Sequence, residues 1–161
     1  MQSQPELQVS SLSKVRGSDC QGSGWFHAPR GKHRRHNGID LVCDGGTLIR
    51  ACNSGTVTKA DGCIYADPKK RDWRYIEITD GFGNKVRYFY VVPVDLPDCK
   101  RVELGLRINR GDVIGVAQGI ESLYEGITPH IHFEVKNSHN NIINPSQYLL
   151  DVDARNNREA K

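Results

Sequence analysis

The chain has no apolar run near the roughly 18 residues that a membrane span needs, and residues 1–14 lack the apolar core of a signal peptide. We therefore expect no membrane span, and an exported form would already have lost its signal. Aromatic residues make up only 7% of the 161 residues, and the formal net charge of +3 does not argue for nucleic-acid binding. A content of 37% hydrophobic residues and 16 glycines is typical of a soluble, turn-rich protein with one core.

Five cysteines are present without any CxxC pair, so a thiolate zinc site is not expected. They are Cys20, Cys43, Cys52, Cys63 and Cys99. Scattered cysteines at this density predict disulfides, and hence a secreted, extracellular protein. Because five is an odd number, at least one of them is free or pairs between chains. The sequence does not give the pairing, and a cytosolic protein with five unpaired thiols is the alternative.

Short runs of β-forming residues alternate with glycine-rich turns along most of the chain. Residues 46–62 contain two such runs around Asn-Ser-Gly, which is a hairpin signal, and residues 73–94 repeat the pattern around Asp-Gly. Residues 106–117 favour a further strand pair, and residues 129–135 a single strand. Residues 145–150 favour one helical turn. With almost no helical periodicity, the sequence predicts an all-β, or β-dominated, protein.

The same reading divides the chain into three parts. Residues 1–19 are predicted to be a polar lead-in that is partly disordered, and residues 20–150 a single domain. Residues 151–161 are charged and are predicted to form a frayed tail.

Two histidines stand one residue apart in the apolar run PHIHFEV. Alternate side chains of a strand share a face, so His130, His132 and Glu134 point one way while the intervening apolar side chains point towards a core. A solvated outer face is the simplest interpretation of such a pair. That interpretation weakens if further metal ligands exist elsewhere in the chain.

The segment HNGID supplies such ligands, His36 and Asp40. Zinc binds histidine nitrogen and carboxylate oxygen, and catalytic zinc sites use three protein ligands plus water. His36, Asp40 and one histidine of the HxH pair make up such a set. The second histidine can then act as a base or orient the metal-bound water. Whether water, His27 or His33 takes the fourth position stays open.

The two motifs lie within a broader resemblance. HNGIDLVCDGGTLIRACNSGTV and GITPHIHFEV resemble the signature segments of the lysostaphin-type zinc metallopeptidases, which cut the peptide cross-links of bacterial cell walls. The resemblance covers residues 20–150. It implies a compact antiparallel β domain with a groove, few short helices and bound Zn²⁺. Carried over by position, it implies His36, Asp40 and His132 as metal ligands and His130 in the catalytic or water-orienting role.

The chain departs from that family at one position. Active members carry a histidine in a strand that reads roughly Tyr-Ala-His-Leu, and here Tyr90 stands in its place. A tyrosine hydroxyl with a pKa near 10 donates a hydrogen bond but supplies no positive charge at neutral pH. We therefore expect Tyr90 and His130 to be the degenerate catalytic pair, with peptidase activity in doubt.

Residues 22–43 resemble the amino-terminal region of the leukocyte cell-derived chemotaxin-2 family, which is secreted, has the same fold and zinc site, and carries Phe-Tyr at the departing position. Cys43 matches that family, whereas Cys63 and Cys99 have no clear counterpart. This resemblance implies a secreted zinc-binding signalling or immune protein on an inactive peptidase scaffold, with roles in chemotaxis and innate immunity. The alternative is an active zinc endopeptidase that cleaves peptidoglycan cross-links.

A basic stretch, RGKHRRH, leads into the HNGID motif and ends on its first residue, His36. Arg30, Lys32, Arg34 and Arg35 are candidates for binding a cell-surface receptor or a sulfated glycan. A bacterial cell-wall ligand is a further candidate partner, which the peptidase resemblance implies. A solvated loop is an equally good interpretation of the basic stretch, since runs of charge are often only surface.

Overall fold

Strands dominate the computed structural model, which describes residues 3–99 and 101–161. One α-helix, α1 (Pro145–Glu159), and two short 3-10 turns, Pro68–Lys70 and Ile120–Ser122, accompany them. The strands are β1 (Glu6–Gln8), β2 (Pro29–Arg30), β3 (Arg34–Arg35), β4 (Ile39–Val42), β5 (Leu48–Arg50), β6 (Gly55–Cys63), β7 (Arg74–Thr79), β8 (Lys85–Phe89), β9 (Val91–Pro93), β10 (Arg107–Ile108), β11 (Val113–Ala117), β12 (His130–Lys136) and β13 (Ile142–Ile143).

The strands form three sheets. A seven-stranded sheet runs β10-β6-β7-β8-β12-β13, with β4 also paired to β12, and a four-stranded sheet runs β1-β5-β11-β9. The third sheet is the β2–β3 hairpin alone. All pairings are antiparallel except that of β1 with β5. The predicted β-dominated, antiparallel fold is therefore confirmed.

Strand β12 lies at the centre of the large sheet, between β8 and β4. Its alternating residues Ile131, Phe133 and Val135 are fully buried in the core, as predicted. Phe133 packs edge-on against Tyr88 of the neighbouring strand, with ring centroids 5.3 Å apart. The opposite face of β12, which carries the two histidines, is also almost completely buried. The solvated-face interpretation is therefore wrong.

Two of the expected strand pairs are not formed. Strands β7 and β8 pair across the Asp-Gly turn as predicted, but β5 pairs with β1 and β11, while β6 pairs with β7 and β10. Strands β10 and β11 likewise belong to different sheets. The turn signals between these runs are real, but the chain uses them to cross from one sheet to the other. Within the small sheet, Leu48 and Ile49 of β5 are both buried, which favours this choice of partners.

Both ends of the described chain contribute to the fold. Residues 6–8 form β1, and Val9 is completely buried. The predicted helical turn at residues 145–150 extends into the 15-residue α1, because Asn144 caps it by accepting from the Ser146 amide at 2.9 Å and Tyr148, Leu149 and Val152 are buried on one face. The division of the chain at residues 19 and 150 stays a prediction. No helix within the described residues is both long and apolar enough to cross a membrane.

All five cysteines are free, so the predicted disulfides are not confirmed. Cys20 and Cys63 are exposed, while Cys52 is buried in the core. Burial raises the pKa of both Cys43 and Cys52 to about 12, so these two thiols stay protonated and unreactive near neutral pH.

Replacing Leu41 with alanine tests the importance of the β4–β12 core. Leu41 is fully buried in β4, so Leu41→Ala leaves a cavity and is expected to lower the free energy of unfolding by about 2–5 kcal/mol. Leu12, 93% exposed, is the matched control, and Leu12→Ala should change that free energy by less than about 0.5 kcal/mol. Urea denaturation followed by circular dichroism measures both. Equal effects of the two substitutions would contradict this assignment of the core.

Candidate metal centre

Backbone pairing brings the two sequence motifs together. Strand β4 lies against β12 in a register that sets Asp40 directly opposite His132. His36 reaches the same place from the turn before β4. Gly38, which lies between the two residues of the first motif, has to be glycine, because a Cβ there would lie 2.3 Å from the Phe133 carbonyl oxygen and 3.0 Å from the His132 ring.

Three ligand atoms converge at this point. His36 Nε2 lies 3.0 Å from His132 Nδ1, which in turn lies 3.0 Å from Asp40 Oδ1. The third edge, from His36 Nε2 to Asp40 Oδ1, measures 3.2 Å. Tetrahedral zinc bound at about 2.0–2.1 Å requires ligand atoms about 3.3 Å apart. The triangle is therefore close to one face of a zinc coordination tetrahedron.

The hydrogen bonds around these residues leave lone pairs at the centre of the triangle. His36 donates from Nδ1 to the Trp25 carbonyl oxygen at 2.9 Å, since that oxygen can only accept. His132 donates from Nε2 to Glu134 Oε1, also at 2.9 Å. The remaining ring nitrogens and the Asp40 carboxylate therefore face one another as acceptors. Such an arrangement requires a cation between them, either a metal ion or a proton.

The pKa values describe the state in which a proton fills that place. Burial disfavours the charged form of His132, but hydrogen bonds to Asp40 and Glu134 outweigh it and raise the pKa of His132 to about 9. Burial also opposes ionisation of Asp40, yet hydrogen bonds from His132 and His36 hold the pKa of that carboxyl group well below its usual range. The carboxylate is thus ionised and available to a cation throughout the physiological range.

Arg16 holds the other oxygen of the Asp40 carboxylate. Arg16 is 1% exposed, and its guanidinium donates to Asp40 Oδ2 at 3.1 Å from Nε and 3.0 Å from Nη2. It also pairs with Asp19, whose carboxylate accepts from the Thr128 amide just before β12. Arg16 therefore orients the carboxylate so that Oδ1 faces the two histidines. The sequence interpretation missed this residue, because a single arginine in a polar segment carries no motif.

A row of charged side chains supports His132 from the other side. Glu134 accepts from His132 with one oxygen and lies 3.8 Å from Arg87 Nη1 with the other. Arg87 also donates to Glu77 Oε2 at 2.7 Å. The three residues are direct partners across β12, β8 and β7, so the sheet itself aligns them. This arrangement fixes the ring orientation and the tautomer of His132.

His130 lies next to the triangle without belonging to it. It donates from Nδ1 to the Thr128 carbonyl oxygen at 2.7 Å, which leaves the lone pair on Nε2. Nε2 lies 3.5 Å from Asp40 Oδ2. Burial lowers the pKa of His130, so the ring is neutral near pH 7 and able to accept a proton.

Tyr90 faces His130 at the edge of the site, with ring centroids 6.1 Å apart. Its backbone has φ +65°, in the left-handed region, and is held there by hydrogen bonds to Arg74 and Gln118. Its hydroxyl lies 2.7 Å from that of Tyr65, which lies 3.2 Å from that of Tyr124. Burial, followed by the contact with Tyr65, raises the pKa of Tyr90 above its usual range, so the hydroxyl stays neutral.

The triangle lies in an open cleft of about 480 Å³. The β2–β3 hairpin forms one wall with Arg30, Arg34 and Arg35, and the three tyrosines line another part of the cleft. Apolar side chains complete the lining, among them Ile64, Phe89, Ile120 and Ile127.

The structure thus brings together His36, Asp40 and His132, and among the described residues these form the one group able to hold a metal ion. His27 and His33 are both exposed and do not belong to this group. Sequence reasoning missed Tyr65 and Tyr124, which come from separate loops. No local pattern links them, and only the tertiary fold brings their hydroxyl groups together.

Comparisons with known proteins match most of the chain. The profile of peptidase family M23 matches residues 34–145. Myeloid protein 1 of Gallus gallus is 29% identical over 124 residues, which make up 76% of this chain and only 35% of that protein. Leukocyte cell-derived chemotaxin-2 of Mus musculus is 25% identical over 124 residues, covering 77% of this chain and 74% of that protein. The fold of the antimicrobial peptidase lysostaphin from Staphylococcus simulans is similar, with a TM-score of 0.62 at 19% identity over 92% of this chain and 55% of that chain.

The raised pKa of His132 predicts how the metal-free protein responds to pH. Because the pKa rises from 6.5 in the free side chain to about 9, protonation stabilises the fold fully below pH 6.5, and that contribution is lost as the pH rises through 9. In chelator-treated protein, NMR titration of the histidine rings should give a midpoint near 9 for one ring. Glu134→Gln should move that midpoint towards 6.5, since a neutral amide replaces one of the two carboxylates. A midpoint near 6.5 in the unmodified protein would contradict the described hydrogen bonding.

Proposed function

Because the chain belongs to peptidase family M23, we propose that it is a secreted zinc-binding signalling protein built on a peptidase scaffold that no longer cuts peptide bonds. The observation that carries the proposal is the position of Tyr90. Its neutral hydroxyl lies beside a complete triangle of candidate metal ligands.

The proposed zinc ligands are His36 through Nε2, Asp40 through Oδ1 and His132 through Nδ1. Their spacing and their converging lone pairs support zinc, since both imidazole nitrogen and carboxylate oxygen are its usual ligands. Arg16 orients Asp40 and Glu134 orients His132, each through a hydrogen bond on the side away from the triangle. Because all three residues line the cleft, a zinc ion held by them would be accessible from it.

Bound zinc supplies Lewis acidity, which polarises a carbonyl group and lowers the pKa of water. Peptide hydrolysis also needs donors that stabilise the developing oxyanion, and the loss of one such donor costs about 10²–10³ in rate. By resemblance, active peptidases place a histidine where this chain has Tyr90. The Tyr90 hydroxyl is held in a hydrogen bond with Tyr65 and carries no positive charge, so we propose that hydrolysis is lost while zinc binding is kept.

The relatives support a signalling role. One is named as a chemotaxin derived from leukocytes and another as a myeloid protein. We extend secretion, chemotaxis and innate immunity to this chain on that basis. A cell-surface receptor or glycan is the proposed partner, and the exposed Lys32 on the β2–β3 hairpin is available to it together with the neighbouring arginines. A bacterial cell-wall ligand is the other proposed partner.

A second candidate function is zinc endopeptidase activity on peptidoglycan cross-links. The position of His130 favours it, because a neutral imidazole with a free Nε2 lone pair beside the triangle can accept a proton from water. The two candidates differ in turnover, and both require the metal.

Zinc binding is tested by metal analysis of protein purified from its native source and of protein reloaded after chelation. We expect one zinc ion per chain and a raised midpoint of thermal unfolding, since a ligand that binds only the folded state stabilises it by about 2.7 kcal/mol at 100 times Kd. His132→Ala should lose both effects. His139→Ala, which removes an exposed histidine, is the matched control and should keep them. Native protein without zinc would overturn both candidate functions.

Turnover is tested with purified cell walls and synthetic cross-link peptides. The zinc-loaded protein should release no more product than His132→Ala. Tyr90→His restores the imidazole and is expected to raise product release above that background, because histidine tolerates the left-handed backbone conformation at this position. Chelator-sensitive cleavage by the unmodified protein would support the endopeptidase instead.

A further inference from the structure

The β2–β3 hairpin, residues 29–35, is a purely basic element. It carries Arg30, Lys32, Arg34 and Arg35 and no acidic residue. Arg30 and Arg34 are direct cross-strand partners, and like charges in that position destabilise a strand pair. An element built this way is stabilised when an anion lies against it.

The hairpin is fixed relative to the metal centre. His36 follows β3 directly, and its amide donates to the Ala28 carbonyl oxygen while its own carbonyl oxygen accepts from the His27 amide, both at 2.9 Å. Arg30 donates to the Ser23 carbonyl oxygen at 2.7 Å and lies 3.8 Å from Asp40 Oδ2. The basic side chains are therefore carried on the same segment as a metal ligand.

The positive charge of the cleft is not balanced from within. Its lining includes the carboxylates Asp40 and Glu134, which are already engaged with Arg16 and His132 respectively. Within residues 3–99 and 101–161, the guanidinium groups of Arg34 and Arg35 make no ion pair and no hydrogen bond, and both residues are exposed. These two arginines are available to a ligand.

The tyrosines add hydrogen-bond donors to the cleft. Tyr90, Tyr65 and Tyr124 form a chain of three hydroxyls joined by two hydrogen bonds, so one of the three O–H groups is left to donate elsewhere. Behind them, Lys70 Nζ lies 5.1 Å from the centre of the Tyr65 ring and 5.8 Å from that of Tyr124. The cleft thus offers positive charge from the hairpin and a hydroxyl donor from the tyrosines.

We propose that this cleft binds an acidic peptide segment, whose carboxylates pair with Arg34 and Arg35. The inference rests on the proposed function, because it identifies the class of partner that the zinc-bearing cleft takes. Arginine recognises carboxylates through paired charge-assisted hydrogen bonds. The cleft volume of about 480 Å³ is within the range of ligand sites, roughly 300–1,000 Å³.

Two observations favour a peptide over a sulfated glycan. Ile64 and Phe89 line the cleft and are partly exposed, so they offer apolar contacts that a peptide side chain makes and a sulfated sugar does not. His36, Asp40 and His132 also line this cleft, and a zinc ion held by them would accept carboxylate oxygen, one of its usual ligands. The occupant that satisfies both is a short segment in which acidic and apolar residues alternate.

Fluorescence anisotropy with the zinc-loaded protein tests the proposal. The probe is a fluorescein-labelled Glu-Leu-Glu-Leu-Glu peptide, and Gln-Leu-Gln-Leu-Gln is its neutral match. We expect the acidic probe to bind at least about tenfold more tightly, and to weaken as salt is added, because charge pairs at an open cleft are screened. Equal binding of the two probes would overturn the proposal.

Matched charge variants locate the binding site. The double variant Arg34→Gln, Arg35→Gln should weaken binding of the acidic probe about tenfold or more. The double variant Arg101→Gln, Arg107→Gln removes the same charge from exposed positions outside the cleft and should leave the affinity unchanged. An equal loss in both double variants would overturn the proposal, since it would reflect net charge alone.

A heparin-derived oligosaccharide forms the competing arm. If the oligosaccharide is the ligand that needs Arg34 and Arg35, the double variant loses its binding. If the acidic probe then does not bind at all, the peptide proposal is overturned in favour of a glycan. Zinc content is measured on every sample, so the two levels of inference separate. If the protein contains zinc but does not bind the acidic probe, only this inference is refuted. If the native protein contains no zinc, the proposed function is refuted.

Discussion

The antiparallel pairing of β4 with β12 is the constraint on which the whole site depends. It sets Asp40 opposite His132 through a ladder of backbone hydrogen bonds instead of flexible side chains. A shift by one residue would turn every side chain of one strand to the other face and separate the two ligands. The register is held because the apolar face of β12 is fully buried and because Gly38 lets the two strands approach closely.

The buried charged side chains around the candidate metal centre are paired with charges of opposite sign. Arg16 neutralises the outer oxygen of Asp40, and Arg87 lies between Glu77 and Glu134. Buried charges are tolerated only when they are paired in this way. Arg34 and Arg35 of the hairpin differ, because they line the cleft without such partners, and this contrast distinguishes groups that build the site from groups available to a ligand.

The sequence predicted the ligand triangle better than the connections between strands. Strand alternation placed His130 and His132 on one face, and HxxxD added His36 and Asp40. The choice of His132 over His130 came from the family resemblance and not from these patterns, and the structure groups His132 with His36 and Asp40. Arg16, Tyr65 and Tyr124 were not predictable, since each acts through a contact distant in sequence. The strand pairs expected at residues 46–62 and 106–117 failed for a related reason. A turn signal states that the chain bends, but only the competition between two sheets decides which strand lies alongside.

The backbone at Tyr90 has a consequence for how such proteins diverge. The residue occupies a left-handed conformation that is held by its neighbours' hydrogen bonds, and histidine is among the residues that enter that region most readily. Exchange of tyrosine and histidine there needs no rearrangement of the main chain. Codons for the two amino acids differ by a single base, so the tyrosine and histidine forms of this site lie one mutational step apart.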